Sequence, residues 1–143
     1  MGDWYGIGVA LGVGVAFGVL ASALLAWIRL GWAASTVVAV AAGLLAGFIT
    51  NRWIGPEWAG PVAGVVGGLI GSLSGSVVVR GALQRGGTAG GLAFLLGSFS
   101  LMIFLLALIP AVGFVVAVMV PIVAFRNYGR DTGKHAGLRT LAK

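Results

Sequence analysis

Apolar residues fill four long stretches of this chain, and most polar residues fall between them. The first stretch runs from Trp4 to Ile28 and the second from Trp32 to Thr50. The third runs from Trp58 to Val79 and the fourth from Thr88 to Phe125. About 20 apolar residues in a helix cross the hydrocarbon core of a bilayer. Strands of a membrane barrel would alternate polar and apolar positions, and these stretches do not. The pattern predicts an all-α, polytopic transmembrane helical bundle of four or five helices.

Aromatic and charged residues mark the same boundaries. All 5 tryptophans and both tyrosines stand at stretch ends: Trp4, Tyr5, Trp27, Trp32, Trp53, Trp58 and Tyr128. Amphipathic rings favour the headgroup level, so they read as interfacial belts. Asp3, Arg29, Arg52, Glu57, Arg80 and Arg85 fall there as well, and no ionisable residue sits inside a stretch.

The fourth stretch is too long for one crossing. As a single helix it would run roughly 57 Å at 1.5 Å per residue, against a core of about 30 Å. Pro110 and Gly113 lie near its middle, and a proline with a nearby glycine is a breaker. One reading makes Gly90–Ile109 a full span and Gly113–Phe125 a short return. The other keeps one helix, kinked at Pro110 and Pro121. Charge favours the return. Arg29, Arg80 and Arg85 mark one side, which the positive-inside rule makes cytoplasmic. The tail holds Arg126, Arg130, Lys134, Arg139 and Lys143 against Asp131, and only a fifth span brings it to that side. Residues 1–125 are thus expected to form the bundle, and 126–143 a basic tail facing the cytoplasm or interior. The first and third stretches are both glycine-rich and precede Arg-bearing loops, as two helical hairpins of like orientation would.

Composition fits this picture. Charged residues are 8% of the chain and hydrophobic ones 59%, too little charge to cover a water-soluble surface. The absence of cysteine excludes disulfides and thiolate chemistry. The start lacks the basic region of a cleavable signal peptide, so the first stretch is expected to be retained.

Small residues recur at every fourth position. The first stretch has Gly2, Gly6, Ala10, Gly14, Gly18, Ser22 and Ala26, and the second has Ser35, Ala39, Gly43 and Gly47. The third has two rows, Gly60–Gly64–Gly68–Ser72–Ser76 and Ala63–Gly67–Gly71–Gly75. Residues four apart share a helix face, and a face without bulk lets backbones approach closely in lipid. This glycine-zipper packing makes Gly6, Gly14, Gly18, Gly60, Gly64, Gly67, Gly68, Gly71 and Gly75 the expected contact residues, within one protomer or between copies. The two rows make the third stretch the expected centre of the bundle or of an oligomer.

Chemistry-bearing constellations do not emerge. Pairs such as Gly67-Gly68 and Gly90-Gly91 lack the Lys and strand context of a phosphate loop. Proton-coupled carriers keep an ionisable residue inside a span, and none lies there. His135 is the only histidine, too few for a metal site. No catalytic residue, cofactor or metal is expected. The hydroxyls Ser22, Ser35, Thr36, Ser72, Ser74, Ser76, Ser98 and Ser100 are expected to bond carbonyls or neighbouring helices. On a helix, Arg126, Arg130 and Lys134 would form a basic stripe, as would Arg139 and Lys143. Gly129, Gly133 and Gly137 argue against a stable helix there. The stripe suits anionic headgroups or an acidic partner; nothing base-specific points to nucleic acid.

Two classes of role remain. One is a structural or organising membrane protein, self-associating or scaffolding a larger complex in a cell membrane or virion envelope. The other is a passive pore or small transport component formed by an oligomer.

Overall fold

The computed structural model describes residues 3–28, 32–54 and 58–134. Among these residues the fold is all-α, with helices α1 (Asp3–Trp27), α2 (Trp32–Ile54), α3 (Ala59–Gln84), α4 (Ala89–Ala107) and α5 (Pro110–Lys134). The fourth apolar stretch is therefore two helices, not one kinked rod. Ile109 closes this turn from both sides. Its N–H donates to the Leu106 carbonyl, and its own carbonyl accepts from Val112 and Gly113. Pro110 opens α5, a position where its missing N–H costs nothing and its fixed φ suits the helix.

The helices also run past their predicted ends. α3 continues through Arg80 to Gln84 and stops in a glycine turn. There Gly87 donates to the Ala82 carbonyl and Gly86 to that of Leu83, the paired bonds of a Schellman ending. Gly86 sits at φ 84°, the left-handed conformation this ending requires. α5 passes the expected boundary at Phe125 and continues through Gly129 and Gly133 to Lys134. A helix already formed adds residues singly at low cost, so glycines at about 1 kcal/mol each do not stop it. Gly137 lies outside the described residues.

Interhelix neighbours fix the directions. Gly14 lies against Gly64 and Gly68, Gly18 against Gly68 and Ser72, and Gly75 against Ser22, so α1 and α3 run parallel. Gly43 meets Gly64 and Gly47 meets Gly60, so α2 runs against them. α4 also opposes α1, since Ser100 bonds Ala16 and Ala107 packs on Gly12. α5 returns parallel to α1, with Gly113 against Gly8 and Ala124 sharing a cleft with Val19 and Val78. The C-terminal ends of α1, α3 and α5 thus share one end of the bundle.

Within the bundle the centre is α1, and the third stretch, expected at the centre of the bundle or of an oligomer, packs beside it. α1 packs on all four other helices, whereas α3 packs mainly on α1, α2 and α5 and barely reaches α4. Of the most apolar window of α1, 72% is buried, against 50% for α3 and 17% for α4. The hairpins α1–α2 and α3–α4 share an orientation but not a packing environment. α2 seats on both α1 and α3, while α4 leaves α3 and packs on α1. The main core joins Val15, Ala16 and Val19 of α1 to Leu96, Ile103 and Val116. Phe17 and Phe104 meet edge to face, with centroids 6.3 Å apart.

Candidate functional site

The small-residue rows form the interior contacts. A methyl group added at Gly18 would lie 2.5 Å from the Gly68 carbonyl oxygen and 2.7 Å from the Ser72 nitrogen. Gly43 and Gly64 face one another so closely that each would drive a Cβ into the other's carbonyl. Gly67 meets the Leu11 carbonyl and Gly71 that of Val15. Gly6 and Gly60 are buried too, and Gly60 faces Gly47. These backbones touch without intervening side chains, the arrangement in which Cα–H···O=C contacts recur between helices. The predicted contact glycines all lie buried within one protomer.

A further row was missed by the sequence reading. Gly8, Gly12 and Ala16 are spaced by four on α1 and meet the last two helices. Gly12 would carry a Cβ 2.6 Å from the Ala107 Cβ and 2.9 Å from the Gly113 Cα. The Ala16 carbonyl accepts from Ser100 at 2.7 Å. Two small rows let α1 accept neighbours on both sides, which is why it takes the centre. The row is visible as spacing in the sequence, but only the docking of α4 and α5 gives it partners.

The serine hydroxyls bond backbone carbonyls, across helices or within one. Ser22 donates to the Ser72 carbonyl at 3.0 Å, across helices, and to Gly18 at 3.1 Å. Ser72, Ser76 and Ser98 bond carbonyls of their own helices. Ser74 is the exception: it is 1% exposed and its hydroxyl has no partner. The side chain of Ser35 lies outside the described residues.

Apolar clefts open on the outside of this closed centre. One, of ≈ 220 Å³, lies between α3, α4 and α5 with Val19 of α1 at its floor. Another, between α1, α2 and α4, is lined by Val13, Phe17, Ala46, Ile49 and Phe104. Among the described residues no group of three or more His, Cys, Asp or Glu could hold a metal.

The basic end carries Arg80 of α3, Arg85 at its C-cap and Arg126 of α5, all exposed. Arg85 folds back so that its Nε donates to the Gly81 carbonyl at 2.9 Å. Arg130 and Lys134 follow Arg126 at four-residue steps along the α5 backbone. Arg139 and Lys143 lie outside the described residues. Comparison with known proteins returned no matching family model, curated protein or solved structure.

Proposed function

We propose that this chain is an integral membrane protein with a structural, organising role, its basic end on the cytoplasmic or interior side. The membrane reading draws on three helices, α1, α3 and α4, whose apolar spans begin at Trp4, Ala59 and Ala89 and are long enough to cross a bilayer. Thr36–Thr50 and Ala111–Arg126 are shorter apolar helices. Large side chains such as Phe48, Phe94, Leu95, Leu101 and Val118 stand more than half exposed. In water so much apolar surface would aggregate; in lipid it is the expected exterior.

One observation favours the structural role over a path through the bundle itself: the axis of the bundle is occupied. α1 fills it, with backbone against backbone on two faces. The cross-helix hydroxyls of Ser22 and Ser100 are spent on carbonyls rather than lining a path. A solute would have to separate glycine contacts that hold the fold together.

The test has two parts. Purified protein in vesicles should leave potassium, chloride and proton leak at the rate of empty vesicles. Leak rising in proportion to protein overturns the structural reading and supports the pore. Gentle extraction from the native membrane should then recover the chain in fixed stoichiometry with a larger assembly, whose composition names what it organises.

A further inference from the structure

The cleft between α3, α4 and α5 differs from that between α1, α2 and α4 in where it leads. Its walls include Ser74, Gly75 and Val78 on α3, Leu96 and Phe99 on α4, and Met119, Val120 and Val123 on α5. All three walls extend toward the basic end. On α5, Met119 and Val123 share a helix face with Arg126, at steps of seven and three residues. Arg85, the C-cap of α3, stands on the Val78 side seven residues on, roughly 10 Å along the axis, with its Nε held on the Gly81 carbonyl. Arg80, two residues from Val78, points off this face. The neighbouring cleft, by contrast, is walled on α2 by Ile49 and Thr50, near the end that carries Arg52.

From this juxtaposition we propose that the cleft is a selective site for an anionic phospholipid of the cytoplasmic or interior leaflet. An acyl chain lies along Val78, Phe99, Met119 and Val123, and the phosphate sits between Arg85 and Arg126. The inference rests on the membrane reading above. Charge complementarity chooses the occupant. An apolar slot alone accepts any lipid tail, whereas a slot flanked by guanidinium groups on two different helices favours a headgroup with net negative charge. Arginine suits this task because its planar fork pairs with phosphate in bidentate fashion. Among described residues, the acid on this end is Asp131, five residues past Arg126 and off its four-step stripe. Asp3 begins α1 at the opposite end.

The full chain, purified in detergent, is titrated with phosphatidylglycerol or phosphatidylcholine of identical chains, and bound lipid is counted by native mass spectrometry. Wild type should retain one phosphatidylglycerol with a preference of roughly ten- to thirtyfold, the size that two basic groups at a headgroup supply. The double variant Arg85→Gln with Arg126→Gln should lose the preference while still retaining lipid. Val123→Trp, at a half-exposed position that fills the slot, should reduce retention of both lipids. Arg80→Gln should match wild type. Helical content and thermal unfolding are compared first, so that only folded variants count. A double variant that keeps the preference, or a Val123→Trp chain that keeps both lipids, overturns the site. Alkaline extraction of vesicles separates this from the membrane reading. A chain released into the soluble fraction sinks both; one that stays in the vesicles without preference sinks the lipid site alone.

Discussion

At the scale of single residues, glycines that look alike in sequence divide sharply by what surrounds them. Gly64 is pressed against the Gly43 carbonyl, while the nearest neighbour of a Cβ at Gly97 is a Leu20 methyl at 4.0 Å. Gly64→Ala should therefore lower stability by about 1–3 kcal/mol, the usual cost of overpacking. Gly97→Ala should raise it by about 0.5–1 kcal/mol, because alanine is the better helix former. Thermal unfolding in detergent measures both, and equal effects would contradict the packing described. Serines divide in the same way. Ser100→Ala removes a bond to the Ala16 carbonyl and should cost about 0.6 kcal/mol, the average for interhelical bonds in a membrane protein. Ser74→Ala removes a buried hydroxyl without a partner and should be neutral or stabilising. Spacing by four made the rows through Gly14 and Gly64 legible, because a helix turns every identical step to the same face. Spacing could not say which neighbour each row would meet, nor that Ser74 would go without a partner. Those facts depend on how the helices are arranged around one another.

At the scale of elements, α5 separates local from tertiary information. Pro110 announced the break, because a proline inside a helix lacks a donor and clashes with the preceding turn. The same logic would end α5 at Pro121, yet the helix runs through it. Its apolar length explains this: Val116, Ala117 and Ala124 are buried on both sides of the proline, and that packing holds the helix across one missing bond. Neighbouring helices commonly make such prolines tolerable in membrane proteins. Replacing the proline restores the donor. Pro121→Ala should give residue 121 an amide that bonds the Ala117 carbonyl and exchanges slowly, with later α5 amides slowed as well. Hydrogen exchange read by mass spectrometry decides it. Fast exchange at 121 would mean that the proline marks a deeper bend than the continuous helix allows. The second small row on α1 is the matching lesson. Gly8, Gly12 and Ala16 were in plain view, but their importance follows from α4 and α5 docking there, which no local pattern states.

At the scale of the whole molecule, helix number and charge distribution constrain each other. Four spans would strand the basic tail on the side of Trp58; five return it to the side of Gln84. The neighbour relations favour the return, because Ala124 lies with Val78 and Leu96 rather than near Gly8 and Gly113. Sequence left both options open, since Ala111–Arg126 is shorter than a usual span. What makes five workable is that α5 begins at Pro110 itself and carries Arg126 and the turns beyond it as a polar extension. Such a helix supplies about 24 Å of apolar length at 1.5 Å per residue, and Arg126 makes up the remainder by reaching the headgroups with its long side chain. The chain has no native cysteine, so single cysteines report cleanly. Gln84→Cys and Asn127→Cys should react with an impermeant thiol reagent from one face of sealed vesicles, and Trp58→Cys from the other. Gln84 and Trp58 stand exposed at opposite ends of α3, so they calibrate the two faces in every preparation. Labelling of Asn127 together with Trp58 would mean that α5 does not cross. The basic residues of α3 and α5 would then face different compartments, and the two walls of the lipid cleft could not meet at one phosphate.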